Sequence, residues 1–224
     1  MSLIPTPAET LARARTDLRL GLPVVLQGNS ARAFVTAAEG ITDDRLSDLT
    51  QQGPSVLAIT AWRAETLRAR AYDGDVARLA LPSDVNADWL RAAADPKDDL
   101  NTPMKGPFVT ERDGDATLHR LAIRLVKSAH LLPAALVTPI DAPVPDALTH
   151  LDADQTSTLL DAPAVHTNVV SGRVPLHVSE AGRVHVFRPD NGGEEHFVCE
   201  IGRPPRDAPV PVSYTHLTLP TKIV

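Results

Sequence analysis

Residues 117–130, TLHRLAIRLVKSAH, constrain the fold more than any other stretch of the chain. Leu118, Leu121, Ala122, Leu125, Val126 and Ala129 recur at the three- and four-residue spacing of one helical face. Arg120, Arg124 and Lys127 fall on the opposite side. Pro133 stops this helix, because its ring cannot continue the backbone ladder. The run 134–138, AALVT, then has no polar side, which is the pattern of a strand covered on both faces. A broad apolar stripe needs a surface to lie on, and such a strand needs two layers around it. Together they predict helices packed on a sheet.

The preceding residues repeat this alternation. Thr6-Pro7-Ala8-Glu9 is a capping box with proline at the first helical position. Leu11, Ala14 and Leu18 follow on one face, and Gly21 can end the helix in a left-handed cap. Short apolar runs at 23–26 and 33–38 flank Gln27-Gly28-Asn29-Ser30 and read as strand, loop, strand. Residues 42–52 predict a helix with Leu46 and Leu49 inward, closed by Gly53-Pro54. SVLAIT, 55–60, is another strand of the doubly covered kind. Residues 61–71 read as helix, 76–81 as strand and 86–94 as a short helix stopped by Asp95-Pro96. The polar loop 95–116 is long enough to be functional or disordered. The expected fold is layered α/β (α+β), with a first domain over 1–140.

Pro139, Pro143 and Pro145 punctuate an expected linker, 141–164, with a weak helical pattern at 155–160. Strands are expected at 165–170, 174–178 and 183–188. PDNGG, 189–193, is a turn cluster, and after it Phe197, Cys199 and Ile201 alternate with His196, Val198 and Glu200. That period predicts a hairpin whose second strand buries Phe197, Cys199 and Ile201. Prolines after Gly202 forbid regular pairing until 210–212.

Composition excludes several classes. A net charge of −6 offers no attraction to nucleic acid or to an anionic membrane. No run approaches the ~20 apolar residues of a membrane helix, and MSLIPTPAET lacks a signal peptide's basic start and apolar core. One cysteine excludes an internal disulfide framework and fits a reducing cytoplasm.

Candidate sites are few. No glycine-rich phosphate loop is present. Glu39 could act as an acid or base, but a carboxylate at a strand end is usually just solvated. His166, His177, His185, His196 and Cys199 match no compact metal-ligand spacing. Cys199 lies among apolar neighbours and reads as packing rather than as a nucleophile. Asp113-Gly114-Asp115 reads as a turn before it reads as a cation site.

Two resemblances emerge from these residues. GEEHFVCEIG, then a proline loop and PVPV at 209–212, resembles the opening of the GTP cyclohydrolase II domain of bacterial riboflavin biosynthesis. Glu195-His196 stands where that family has a Glu-His pair, and its role here is structural. LRLGLPVVL, VTAAEGIT, SVLAIT, AAADP and AIRLVKSAHLLPAALVTPI, taken in order, are similar to the 3,4-dihydroxy-2-butanone 4-phosphate synthase half of bifunctional riboflavin enzymes. The departures are specific. Synthases carry an acidic run after the PVVL-like strand, which holds magnesium and substrate. Residues 27–34, QGNSARAF, contain no Asp or Glu, so magnesium is not expected. Synthases also place Gly-His-Thr-Glu before the last helix. Here that place reads Thr117-Leu118-His119-Arg120, with His119 one position out of register.

The expected organisation is therefore a degenerate synthase-like domain over 1–140, a linker over 141–164, and the first strands of a cyclohydrolase II domain over 165–212. Residues 213–224 resemble translated sequencing adaptor, so the chain is expected to be truncated with an artefactual tail. The resemblance implies a homodimeric hydrolase that opens the imidazole ring of GTP, releasing formate and pyrophosphate. It implies a zinc-activated water held by three cysteines, none of which is in this chain, so the chain as given is expected to be inactive. A non-catalytic dimerising or regulatory scaffold, a residual synthase, and a related cyclohydrolase of pyrimidine breakdown remain as alternatives.

Overall fold

The computed structural model describes residues 3–29, 31–97, 99–175, 177, 180–202 and 207. The chain divides into two compact units, Met1–Pro163 and Ala164–Val224.

The first unit begins with α1 (Pro7–Arg19). Thr6 and Glu9 close the expected capping box: the Thr6 amide donates to Glu9 Oε2 at 2.7 Å, and the Glu9 amide donates to Thr6 Oγ1 at 3.3 Å. Leu11, Ala14 and Leu18 are buried as the spacing required. Gly21 follows with φ +70°, and a Cβ there would lie 2.1 Å from the Gly40 carbonyl oxygen. Glycine is thus needed twice, for the left-handed turn and for the close approach.

Next come β1 (Val24–Gln27), β2 (Arg32–Ala37), α2 (Asp43–Gln52), β3 (Val56–Thr60), α3 (Ala61–Thr66), β4 (Val76–Ala80) and α4 (Ala87–Ala94). After the polar loop stand α5 (Thr117–Ser128), β5 (Ala134–Pro139), β6 (His150–Asp152) and α6 (Ala153–Asp161). The strands form one sheet in the order β4-β3-β5-β2-β1-β6. Pairing is antiparallel except between β1 and β6.

Alternate side chains of each strand enter separate cores. Val24, Leu26, Ala58, Ala135 and Val137 pack with Leu18 of α1 and Leu125 of α5. Val25, Leu57, Ile59 and Leu136 pack with Leu46 of α2, Ala64 of α3 and Leu90 of α4. Helices therefore cover both sheet faces, which is why 55–60 and 134–138 read as continuously apolar although β3 and β5 pair antiparallel with all their neighbours. β5 runs through the middle of the sheet and β3 beside it, so neither strand has an exposed edge.

Two expectations change here. Residues 141–164 are not a linker: β6 pairs with β1, and α6 packs Leu159 and Leu160 against the first core. The three-residue β6 is too short to show a period of its own, and its partner lies more than a hundred residues earlier. The helix expected at 61–71 ends at Thr66, where the chain turns through Arg68 at φ 56°.

The second unit holds β7 (His166–Arg173), β8 (Gly182–Pro189) and β9 (His196–Ile201), an antiparallel sheet in that order. The hairpin around PDNGG joins β8 to β9 as its turn residues required. The strand expected at 174–178 does not form at Val174 and Pro175, and Leu176 and Val178 lie outside the described residues. The expectations for 209–212 and for the tail 213–224 also lie outside them.

Candidate functional site

The folded chain brings the β1–β2 turn against the first turn of α5. The β1–β2 turn is tight, with the Gly28 amide donating to the Ala31 carbonyl at 2.9 Å. A Cβ on Gly28 would lie 3.4 Å from Leu118 Cδ2 in the first turn of α5. The chemistry at this junction is apolar and amide, because Gln27, Gly28, Asn29 and Leu118 offer no carboxylate. Protein magnesium sites usually include one or two carboxylates, and this junction supplies none.

Behind Leu118 the charges satisfy one another. Arg78 lies in the middle of β4 and is only 3% exposed. Its Nε and Nη2 donate to Asp73 at 2.8 and 3.2 Å, and its Nη1 donates to Glu111 at 3.4 Å. Arg120 donates to Asp75 at 2.7 Å and to the Asp73 carbonyl at 2.7 Å. Asp115 accepts from the Thr117 amide and hydroxyl, which starts α5 and holds its own carboxyl below the usual range. Asp113-Gly114-Asp115 is thus a helix-starting turn, with Gly114 at φ +89°. His119 is partly buried here, and among the described residues its Nδ1 has no hydrogen-bond partner. Burial first, then the charge of Arg78, pushes its pKa down to about 4. The imidazole is therefore neutral at pH 7.

The polar loop 95–116 is tied down by a second group that the sequence reading missed. Arg63 Nε and Nη2 donate to the carbonyls of Ala93, Ala92 and Asp95, which cap the end of α4. The same guanidinium grips Asp99 with two bonds, at 2.6 and 2.8 Å, and Lys105 adds a third contact to that carboxylate. Further on, the Ala80 amide donates to Val109 and the Glu111 amide to Arg78, so the loop extends the β4 edge. The only local signals were Arg78 inside an apolar strand and Arg63 inside a short apolar helix. Glu39 is also structural, since it accepts from the Leu132 amide at 2.8 Å.

In the second unit Glu195 receives two bonds from Arg188, at 2.8 and 2.6 Å. His196 packs edge-on against His166, with ring centroids 4.5 Å apart. His185 lies between Ser171, 2.8 Å from Nδ1, and Glu200, 2.7 Å from Nε2. In the neutral ring Nε2–H donates to the carboxylate, and Nδ1 accepts from the serine hydroxyl. His177 is exposed. Among the described residues no three His, Cys, Asp or Glu side chains are grouped to hold a metal. With a single cysteine in the sequence, the residues present do not make the three-cysteine zinc site of the resembled family.

The expected burial of Cys199 is overturned. Phe197, Cys199 and Ile201 share a sheet face, as alternation required, but Phe197 is 66% and Ile201 56% exposed, and Cys199 is exposed too. Cross-strand pairing adds Val170, Val184 and Val186 to the same face. No helix or second sheet among the described residues of this unit covers it. Alternation specifies which side chains share a face, while burial needs a layer to cover that face.

No protein-family model matches the chain. It is 29% identical, over 211 residues, to a GTP cyclohydrolase-2 of Azospirillum brasilense, a match covering 88% of this chain and 54% of the relative. The chain thus spans about half the length of that curated relative. Among solved structures it resembles a two-domain 3,4-dihydroxy-2-butanone 4-phosphate synthase from A. baumannii, with TM-score 0.50 and 12% identity over 86% of this chain and 70% of that one. A second, the synthase of Candida albicans, superposes with TM-score 0.50 and 14% identity over 67% and 96% of the two chains. At those identities the likeness is one of fold. The sequence likeness runs to a cyclohydrolase II and the fold likeness to synthases, the two resemblances drawn from the sequence. Among the described residues no helix is long and apolar enough to cross a membrane.

Proposed function

We propose that this chain is part of a GTP cyclohydrolase II-type protein of riboflavin biosynthesis, in which the synthase-like unit serves as a scaffold without synthase activity. The observation that carries this reading is the match to the A. brasilense cyclohydrolase along 88% of the chain. The whole protein would open the guanine imidazole ring of GTP, with release of formate and pyrophosphate, as a cytoplasmic homodimer. Its zinc would be held by residues other than those described here, so no step of that chemistry is assigned to them. Residues 165–212 would supply the first strands of the cyclohydrolase domain, with Arg188–Glu195 and His166–His196 bracing the start of β9.

The scaffold reading of the first unit rests on the carboxylate-free β1–β2 turn and on Leu118 facing it. A polar site that loses its charged groups but keeps its surrounding core retains stability and loses chemistry. A residual synthase is disfavoured by the same observation.

The test is to assay the purified chain with GTP and zinc for formate, and with ribulose 5-phosphate and magnesium for the four-carbon phosphate. A longer protein carrying the chain's residues 1–202 is assayed in parallel. The expected result is no turnover by the chain in either assay and formate release by the longer protein. Chelator-sensitive turnover of ribulose 5-phosphate would overturn the scaffold reading. A longer protein that takes up zinc and leaves GTP intact would overturn the cyclohydrolase reading.

A further inference from the structure

On the polar face of the three-stranded sheet two arginines stand opposite each other. Arg173 of β7 and Arg183 of β8 are direct cross-strand partners, and Arg183 is in turn opposite Glu200 of β9. Directly opposed residues project on one face with Cβ atoms ~5 Å apart, and like charges in that position repel. The carboxylate that could relieve them is turned elsewhere: Glu200 is hydrogen-bonded to His185 at 2.7 Å. Among the described residues neither arginine makes an ion pair. Both line a cavity of about 510 Å³ that Glu180, Gly182, Glu200 and Gly202 also border.

We propose that this cavity binds a small phosphate dianion, free or as a monoester, held between Arg173 and Arg183. Guanidinium forks match phosphate oxygens two at a time, and opposed arginines offer two forks to one group. A dianion balances both charges, whereas a carboxylate ligand balances one. Glu180 and Glu200 set an upper limit on ligand charge, because a polyphosphate would bring further negative charge against them. The site is independent of the GTP chemistry proposed above, and its residues belong to one unit.

The experiment is calorimetric titration of the whole chain with inorganic phosphate at low ionic strength, repeated with glycerol 3-phosphate and with pyrophosphate. Wild type should bind phosphate saturably, and Arg173→Ala and Arg183→Ala should each weaken binding at least tenfold. Arg173→Lys should keep part of the affinity, and Glu180→Gln should tighten binding several-fold. Arg32→Ala, in the other unit, should leave binding unchanged. Tighter binding of glycerol 3-phosphate than of phosphate would assign the site to monoesters, and the reverse to the free anion. Absence of saturable phosphate binding by wild type overturns the proposal. So does binding that both arginine-to-alanine variants retain, with circular dichroism showing them folded.

Discussion

Arg63 and Asp99, 36 residues apart, share two hydrogen bonds of 2.6 and 2.8 Å while the same guanidinium caps the last turn of α4. One side chain thereby joins α3, α4 and the start of the long polar loop.

Removing Asp99 should leave Arg63 and Lys105 together without their counter-charge. Unpaired buried charges cost ~3–5 kcal/mol, and partial exposure of Asp99 reduces this, so Asp99→Asn should destabilise the first unit by about 2–3 kcal/mol at pH 7 in a denaturant titration. The bonds from Arg63, then those from Lys105, hold the Asp99 carboxyl well below its ordinary 3.8. A depressed acid stabilises above its unfolded pKa and loses that contribution as pH falls through the folded value. The gap between wild type and Asp99→Asn should therefore be full above about pH 5 and shrink as the pH falls below 3.8. A gap independent of pH would show that the loop is held by packing instead.

His119 should make the first unit acid-sensitive at milder pH. Its imidazole titrates at about 4 when folded, against an ordinary 6.5. The unfolded chain thus takes up the proton first, and stability present above pH 6.5 is lost progressively down to about 4. Between pH 7.5 and 4.5, wild type should lose about 1–3 kcal/mol more than His119→Leu. Parallel pH profiles of the two proteins would refute this.

Leu125, fully buried on α5, should cost about 2–5 kcal/mol when cut to alanine. Arg124 on the outer face is not idle: it donates to Ser157 at 3.0 Å and to Asp161 at 2.5 Å, tying α5 to α6. Both groups are substantially exposed, so Arg124→Ala should cost about 0.5–1 kcal/mol, more than Lys127→Ala. Unfolding curves that rank these three differently would mean that the stripe and the outer face are misassigned.

Cys199 should react stoichiometrically with a thiol reagent in the native protein, at the rate of an accessible thiol. Protection until denaturant is added would show that the apolar face of the second sheet is covered.

Much of the fold could be read along the chain. The Thr6 capping box, the Gly21 turn, the stripe of α5 and the PDNGG hairpin depend on neighbours one to four residues away, and periodicity records such neighbours directly. The carboxylate-free turn at 27–31 was equally plain, because an absent charge needs no geometry to be noticed. Tertiary structure decided the rest. It set β3 antiparallel to both its partners, although burial on two faces has the same apolar text in parallel and antiparallel sheets. It annexed residues 150–161 to the first unit through a pairing with β1 that no local pattern encodes. It matched Arg63 with Asp99 and Arg78 with Asp73 and Glu111, choices set by distance in space among the chain's many charges. It also left Cys199 exposed, since the alternation in a strand fixes which way a side chain points, and only another layer fixes whether water reaches it.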